Sequence, residues 1–254
     1  MKALITGASS GLGRDMAKVL AEKGYDLILV ARRENRLIEL QQEIEQRFKT
    51  VKVSVIVTDL SVKENCYALY EQTKGENIHL LINNAGFGLY GRFTETDLDT
   101  ELRMINTNIV ALHILTKLFL KDFVKRNSGM ILNVASSAGY MAGPLMSTYY
   151  ATKNYVRRMT QAIRQELKEQ HSDVIVSALC PGPVNTEFNE VADVRFSIDG
   201  LASEFVAKYA IEQTFQGKLC IIPGKMMKAG VFCLRFIPES LMLKISSNIQ
   251  HRKS

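Results

Sequence analysis

The stretch STYYATK, residues 147–153, sets Tyr149 and Tyr150 side by side just ahead of Lys153. A tyrosine one helical turn before a lysine is a possible acid/base pair, because residues i and i+4 share a helix face. A free phenol has a pKa near ~10, too high to exchange protons readily at neutral pH, and a neighbouring ammonium lowers it. Tyr149 has the required spacing; Tyr150 is turned about 100° round the helix from it and reads as packing or interface. Tyr70 and Lys74 in YEQTK repeat the pattern, so spacing alone does not locate a reactive group. The elements that carry each pair must decide.

Short apolar runs alternate with longer amphipathic ones along most of the 254 residues. KALIT, DLILVA, VKVSVIV, HLLIN, MILNVA, DVIVSAL and KLCII read as strands. The intervals near 12–23, 34–48, 62–74, 97–126, 148–170 and 202–216 read as helices. Near-continuous apolar strands separated by helices predict an α/β fold of the Rossmann type. It is a single doubly wound domain of about seven parallel strands with helices on both faces, joined by right-handed crossovers. The nucleotide-binding and catalytic domain is expected over 1–224, with 225–254 a basic amphipathic extension of it. Such sheets bind ligands beyond the carboxyl ends of their strands, so functional residues should fall just after strands.

They do. The first strand runs into TGASSGLG, residues 6–13, where Gly7, Ser9, Ser10, Gly11, Leu12 and Gly13 open the first helix. Glycines allow a tight turn and close approach to a pyrophosphate, and the helix N-terminus offers free N–H groups and a favourable dipole. After the second strand comes ARRENRL. Ala31 stands where a carboxylate would bind the ribose hydroxyls of NAD, and Arg32 and Arg33 follow, as suits a 2′-phosphate. NADP(H) is therefore expected in preference to NAD(H). Asp59, after the third strand, either accepts a hydrogen bond from the adenine amino group or caps a helix beside Ser61. After the fourth, Asn83, Asn84, Ala85 and Gly86 are small enough for close contact with the adenosine half.

In order and separation these motifs resemble the short-chain dehydrogenase/reductase family over nearly the whole chain. The carrying residues are TGASSGLG, Asp59–Leu60, NNAG at 83–86, Asn108 in INTNIVALHILTK, Ser136 in NVASSAG, Tyr149 with Lys153, and PGPVNT at 181–186. The resemblance implies an NADP-dependent oxidoreductase that transfers a hydride between the cofactor and a carbonyl or secondary alcohol. It makes Tyr149 the acid/base, and Ser136 rather than Ser137 the donor to the substrate oxygen. Lys153 would lower the Tyr149 pKa and bind the nicotinamide ribose. Asn108 rather than Asn106 would hold a water linking Lys153 to solvent. Pro181, Gly182, Val184 and Thr186 would meet the carboxamide end. Tyr70 and Lys74 have Val57 where that serine should stand, and read as a solvated surface pair.

Composition removes other classes. Of a net charge of +6, five lie from Lys225 onward, where six lysines and arginines face Glu239 alone. The body is nearly neutral, without the basic, aromatic-interleaved stripe of a nucleic-acid surface. Cys66, Cys180, Cys220 and Cys233 have no C-x-x-C spacing and read as buried thiols in a reducing cytosol, with no metal site. No apolar run of 18 residues and no signal-like start appear, which predicts a soluble, cytoplasmic protein. The family usually forms homodimers or homotetramers through the helices here at 97–126 and 148–170. Residues 188–201 are placed as a lid, and Tyr140, Met141, Met146 and Phe188 as candidate pocket residues. The substrate is expected to be a small-molecule carbonyl or alcohol. Two alternatives stay open: a non-catalytic NADP(H)-sensing protein, and a membrane-associated 3-oxoacyl reductase using the tail at a lipid surface, a contact otherwise explained by capping, pocket-wall or subunit roles.

Overall fold

The structure is a computed structural model that describes residues 1–192 and 200–251. All seven expected strands form: β1 (Lys2–Thr6), β2 (Asp26–Ala31), β3 (Val53–Val57), β4 (Leu80–Asn83), β5 (Met130–Val134), β6 (Ile175–Leu179) and, last in the chain, β9 (Cys220–Ile221). They make one sheet in the order β3-β2-β1-β4-β5-β6-β9 with every pairing parallel. Strand order reverses between β1 and β4, and the carboxyl ends of those two strands open the crevice where such a sheet binds ligands. A separate pair, β7 (Val184–Asn185) and β8 (Leu201–Ala202), lies beyond β6.

The period-2 alternation of strand side chains explains the two layers. In β1, Ala3 and Ile5 enter one core with Met16 and Leu20 of α1 (Gly11–Glu22), Leu40 of α2 (Glu34–Arg47), and Val206 and Ile211 of α8 (Ser203–Phe215). Leu4 points the other way, into a core with Leu69 of α3 (Lys63–Thr73), Phe119 and Phe123 of α5 (Leu112–Lys125), and Leu167 of α6 (Ser147–Glu169). Both faces of the central sheet are therefore dry, which is why those strands read as continuous apolar runs, while the edge strand β3 stays partly exposed.

The expected helix over 97–126 forms, with one irregular turn inside it. Over 97–126 the chain forms α4 (Leu98–Ile105), capped by Asp97 accepting from the Thr100 N–H at 2.8 Å, then a π-helical turn over Asn106–Ala111, then α5. Single π turns inside α-helices are rare and concentrate at functional sites; this one centres on Asn108. The tail also folds, as α9 (Lys225–Cys233), a 3₁₀ turn (Leu234–Phe236) and α10 (Glu239–His251). Pro238 stands before α10, where its missing N–H costs nothing. Short α7 (Phe188–Val191) follows β7, and residues 193–199 of the expected lid lie outside the described residues.

Two expectations need correction. Cys66 and Cys180 are buried, but Cys220 is only partly covered and Cys233 is exposed on α9, whose outward face the sequence does not reveal. Tyr70 and Lys74 are not a solvated pair. The Tyr70 hydroxyl donates to Asp122 at 2.9 Å and its ring meets Phe119 edge-on, while Lys74 pairs with Glu71.

Candidate active site

The glycine turn between β1 and α1 is fixed by contacts that leave no room for side chains. Gly7 and Gly11 have φ of 66° and 50°, a region that glycine enters at no steric cost. A Cβ on Gly13 would lie 2.3 Å from the Gly7 carbonyl oxygen. The Asn84 amide donates to the Thr6 and Gly7 carbonyls at 3.0 Å each, and the Thr6 hydroxyl accepts from the Asn84 and Ala85 N–H groups at 3.0 and 3.1 Å. The ends of β1 and β4 are thus pinned together. Asn84 acts here through its amide, and Gly13 packs behind the turn without reaching the cleft.

From this turn a cleft of about 590 Å³ runs along the carboxyl ends of the sheet, within the range typical of small-molecule and cofactor sites. At one end Gly7, Ser9, Ser10, Gly11 and Leu12 line it together with Arg32, Arg33, Asp59 and Leu60. Arg33 Nη2 donates to Ser10 Oγ at 2.7 Å and to Ser9 Oγ at 3.2 Å, so the guanidinium is held over the turn. Asp59 accepts from the Ser61 N–H at 2.9 Å and stands 3.7 Å from Arg32. Burial raises its pKa, but the Ser61 hydrogen bonds and the Arg32 charge outweigh that and hold the carboxyl below its usual range. The midsection is walled by Asn84, Ala85 and Gly86.

At the other end Ser136, Tyr149 and Lys153 converge. Ser136 follows β5 and begins a 3₁₀ turn, its hydroxyl accepting from the Ala138 N–H at 3.1 Å. Tyr149 and Lys153 rise from the first turns of α6 and are 8 % and 5 % exposed. Lys153 Nζ donates to the Val134 carbonyl at 2.9 Å and lies 5.8 Å from the centre of the Tyr149 ring. Burial brings the Lys153 pKa down to about 8. Burial also pushes the Tyr149 phenol well above its ordinary value, and its hydrogen bond with Ser136 offsets only part of that. Lys153, expected to lower that pKa, does not offset the burial, and the Tyr149 phenol is a protonated donor at neutral pH.

Asn108 reaches this end from behind the wall. Its amide donates to the Phe87 carbonyl at 2.9 Å and to Thr152 Oγ1 at 3.1 Å, and its Oδ1 accepts from the Phe87 N–H at 3.1 Å. A Cβ on Gly86 would fall 2.7 Å from Asn108 Oδ1 and 3.5 Å from Lys153 Nζ, so only glycine leaves space between them. Pro181, Gly182, Val184 and Thr186 form the opposite lip.

Tyr150 is placed differently. Its hydroxyl takes a hydrogen bond from the Gln250 amide of α10, and a Cβ on Gly143 would lie 2.5 Å from its ring. It meets Tyr149 edge-on, with ring centres 6.1 Å apart. Of the expected pocket residues, Met141, Met146 and Phe188 line the cleft. Tyr140 does not: its ring lies under the Arg157 guanidinium at 3.9 Å, packed with Val156 and Cys180.

Several lining residues escaped the sequence reading. Glu187 pairs with Arg33 at 2.9 Å and also with Arg36, bridging the cleft from the β7 side to α2. Its only signal was its place next to Thr186. Met227, Val231, Leu234 and Ile249 bring the tail helices into the wall; no local pattern says what an amphipathic tail packs against.

Comparison with known proteins places this geometry among relatives. The family described as short chain dehydrogenase matches residues 1–194. An uncharacterized oxidoreductase of Staphylococcus saprophyticus is 33 % identical over 83 % of this chain and 91 % of its own length. A very-long-chain 3-oxoacyl-CoA reductase of Neurospora crassa is 35 % identical over 68 % of this chain, which spans only 53 % of that protein. Among solved structures, a short-chain dehydrogenase from Sphingobium yanoikuyae in complex with NADPH superposes with a TM-score of 0.85 at 30 % identity, covering 95 % of this chain and 94 % of that one. A short-chain dehydrogenase/reductase from Burkholderia phymatum in complex with NAD gives 0.82 at 26 % identity, with 91 % of each chain covered.

Proposed function

This chain belongs to the short-chain dehydrogenase family of oxidoreductases, and we propose that it transfers a hydride between NADP(H) and a carbonyl or secondary alcohol, with Tyr149 as acid/base. One observation carries the reading: a single cleft joins a glycine turn shaped for phosphate to Ser136, Tyr149 and Lys153. The cofactor fits that cleft because positive-φ glycines and the first turn of α1 present backbone N–H groups where a diphosphate would lie. Gly7, Ser9, Ser10, Gly11 and Leu12 would hold the diphosphate. Asp59, Leu60, Asn84, Ala85 and Gly86 would hold the adenosine half, and Pro181, Gly182, Val184 and Thr186 the carboxamide end. NADP(H) is favoured over NAD(H) because Ala31 offers no carboxylate to the ribose, while Arg32 and Arg33 face the cleft.

Bound there, the reduced nicotinamide would supply the hydride. The chain's own part is the proton and the charge. Ser136 positions the substrate oxygen by hydrogen bonding, and Tyr149 passes its proton to that oxygen as negative charge develops. The phenolate left behind is stabilised by the Ser136 hydroxyl and the Lys153 ammonium. Asn108 anchors the π turn and the Phe87 loop, and would hold a water through which Lys153 exchanges protons with solvent. In the oxidative direction Tyr149 takes the proton back.

The substrate side is apolar, with Met141, Met146, Phe188, Val231 and Leu234 among its residues. That favours a carbonyl on an apolar body over a charged metabolite, and a 3-oxoacyl thioester is the second reading, supported by the same wall. A homodimer or homotetramer is supported by Leu98, Leu102 and Tyr155, exposed on the helices expected to form the interface. We take 225–254 as an extension of the one domain and the protein as cytoplasmic. The test is NADPH oxidation against a panel of ketones, aldehydes and 3-oxoacyl thioesters. Turnover of an apolar carbonyl is expected; tight NADPH binding with no turnover of any compound would favour a cofactor sensor instead.

A further inference from the structure

The tail helices have two sides. One faces the molecule: Val231 and Leu234 line the cleft, Ser246 Oγ donates to the Ala142 carbonyl at 2.7 Å, and Gln250 is buried against Tyr150. The other turns Met226, Phe232, Phe236, Leu241 and Ile245 to solvent, Phe236 and Met226 being 74 % and 70 % exposed. Phe232 and Phe236 stack edge to face at 5.4 Å, so the rings form one protruding cluster. An apolar face of this kind marks an interaction site. Set among these side chains are Lys225, Arg235 and Lys244, all exposed, while Lys228 reaches back to donate to the Tyr209 hydroxyl at 2.7 Å; Glu239 is the single carboxylate of the described segment.

The charge selects the occupant. A two-fold contact between copies brings the same patch against itself, and here that would press cations on cations. An anionic bilayer supplies headgroup charge of the opposite sign and hydrocarbon for the exposed rings. No helix among the described residues is long and apolar enough to cross a membrane, so the face would lie in the lipid interface.

We propose that α9, the 3₁₀ turn and α10 form a peripheral membrane-binding face for anionic phospholipid. Phe232, Phe236 and Leu241 enter the acyl boundary, while Lys225, Arg235 and Lys244 meet the phosphates. Because the inner side of the same helices walls the cleft, docking sets the apolar end of the cleft beside the lipid. The inference rests on the surface alone and is independent of which reaction the cleft performs.

The test is co-sedimentation of the full chain with vesicles of phosphatidylcholine alone or mixed with phosphatidylglycerol. Binding to the mixed vesicles is expected to be stronger by roughly tenfold or more, at about 1 kcal/mol per lysine or arginine near the surface, and to weaken as salt screens the charges. The double variant Phe232→Glu/Phe236→Glu, with melting temperature and oligomeric state unchanged, is expected to stay in the supernatant. Failure of the wild type to sediment with anionic vesicles would overturn the proposal. So would dissociation of the native oligomer in the double variant, which would assign the face to a contact between copies.

Discussion

Tyr149 and Tyr150 differ in what each hydroxyl touches: Ser136 and the cleft for one, Gln250 of the tail for the other. The sequence distinguishes them by the spacing to Lys153 and by Ser136 thirteen residues earlier. It does not show what would hold Tyr150, because Gln250 lies a hundred residues away. Lys153 carries a cost of the same arrangement. Its folded pKa of about 8 lies below the ordinary 10.5, so the unfolded chain binds more protons between those values and stability rises with pH across that window. Below about pH 8 the burial penalty is complete, on the order of 3 kcal/mol at 1.36 kcal/mol per pH unit. Lys153→Met is therefore expected to be inactive yet more stable at pH 7, with the gain fading as pH rises from about 8 to 10.5. Denaturant unfolding at several pH values checks this, and a variant less stable at pH 7 would contradict it. Tyr150→Phe is expected to keep turnover and lose about 1 kcal/mol of stability with the Gln250 hydrogen bond.

At the level of elements, all seven strands and the motifs after them were legible because the central strands are buried on both faces and each cleft-lining turn follows its strand directly. The π turn inside the helix over 97–126 was not. Nothing in INTNIVALHILTK breaks helical periodicity; the π turn coincides with hydrogen bonds between Asn108 and Phe87, twenty-one residues earlier in sequence. The tail wall was hidden for a similar reason, since amphipathic spacing fixes a helix and leaves its partner open. The glycine turn offers a sharp element-scale test. Gly13→Ala would drive a methyl to within 2.3 Å of the Gly7 carbonyl. Overpacking of this kind typically costs 1–3 kcal/mol, and here it also displaces the turn. A lower melting temperature together with weakened NADPH binding is expected, measured by thermal denaturation and NADPH fluorescence; unchanged values for both would show that the turn is not held by this contact.

Across the whole molecule, the excess charge sits in the tail while the cleft is bridged by an internal ion pair. Glu187 holds Arg33 and Arg36 from the far side of the cleft, so a 2′-phosphate must compete with a carboxylate for Arg33. Glu187→Gln is expected to tighten NADPH several-fold, a hydrogen bond to a charged group being worth about 1.5–3 kcal/mol, and to leave NADH nearly unchanged. Titration of both cofactors reads this directly, and equal shifts for the two would remove the arginines from phosphate recognition. Arg32 and Arg33 were legible as the residues just after β2 and both line the cleft, but Arg36 was not singled out, and the acid opposing Arg33 comes from 154 residues later, where only the closed fold brings it.

The central claim is that Tyr149 exchanges the proton while the rest of the cleft holds the cofactor. The most direct measurement follows NADPH oxidation and NADPH binding in Tyr149→Phe and Tyr150→Phe beside the wild type. Tyr149→Phe is expected to lose roughly 10²–10⁴-fold in turnover, the usual contribution of a positioned acid/base, with NADPH binding intact, and Tyr150→Phe to retain both. Full turnover in Tyr149→Phe, or equal loss in the two variants, would contradict the account.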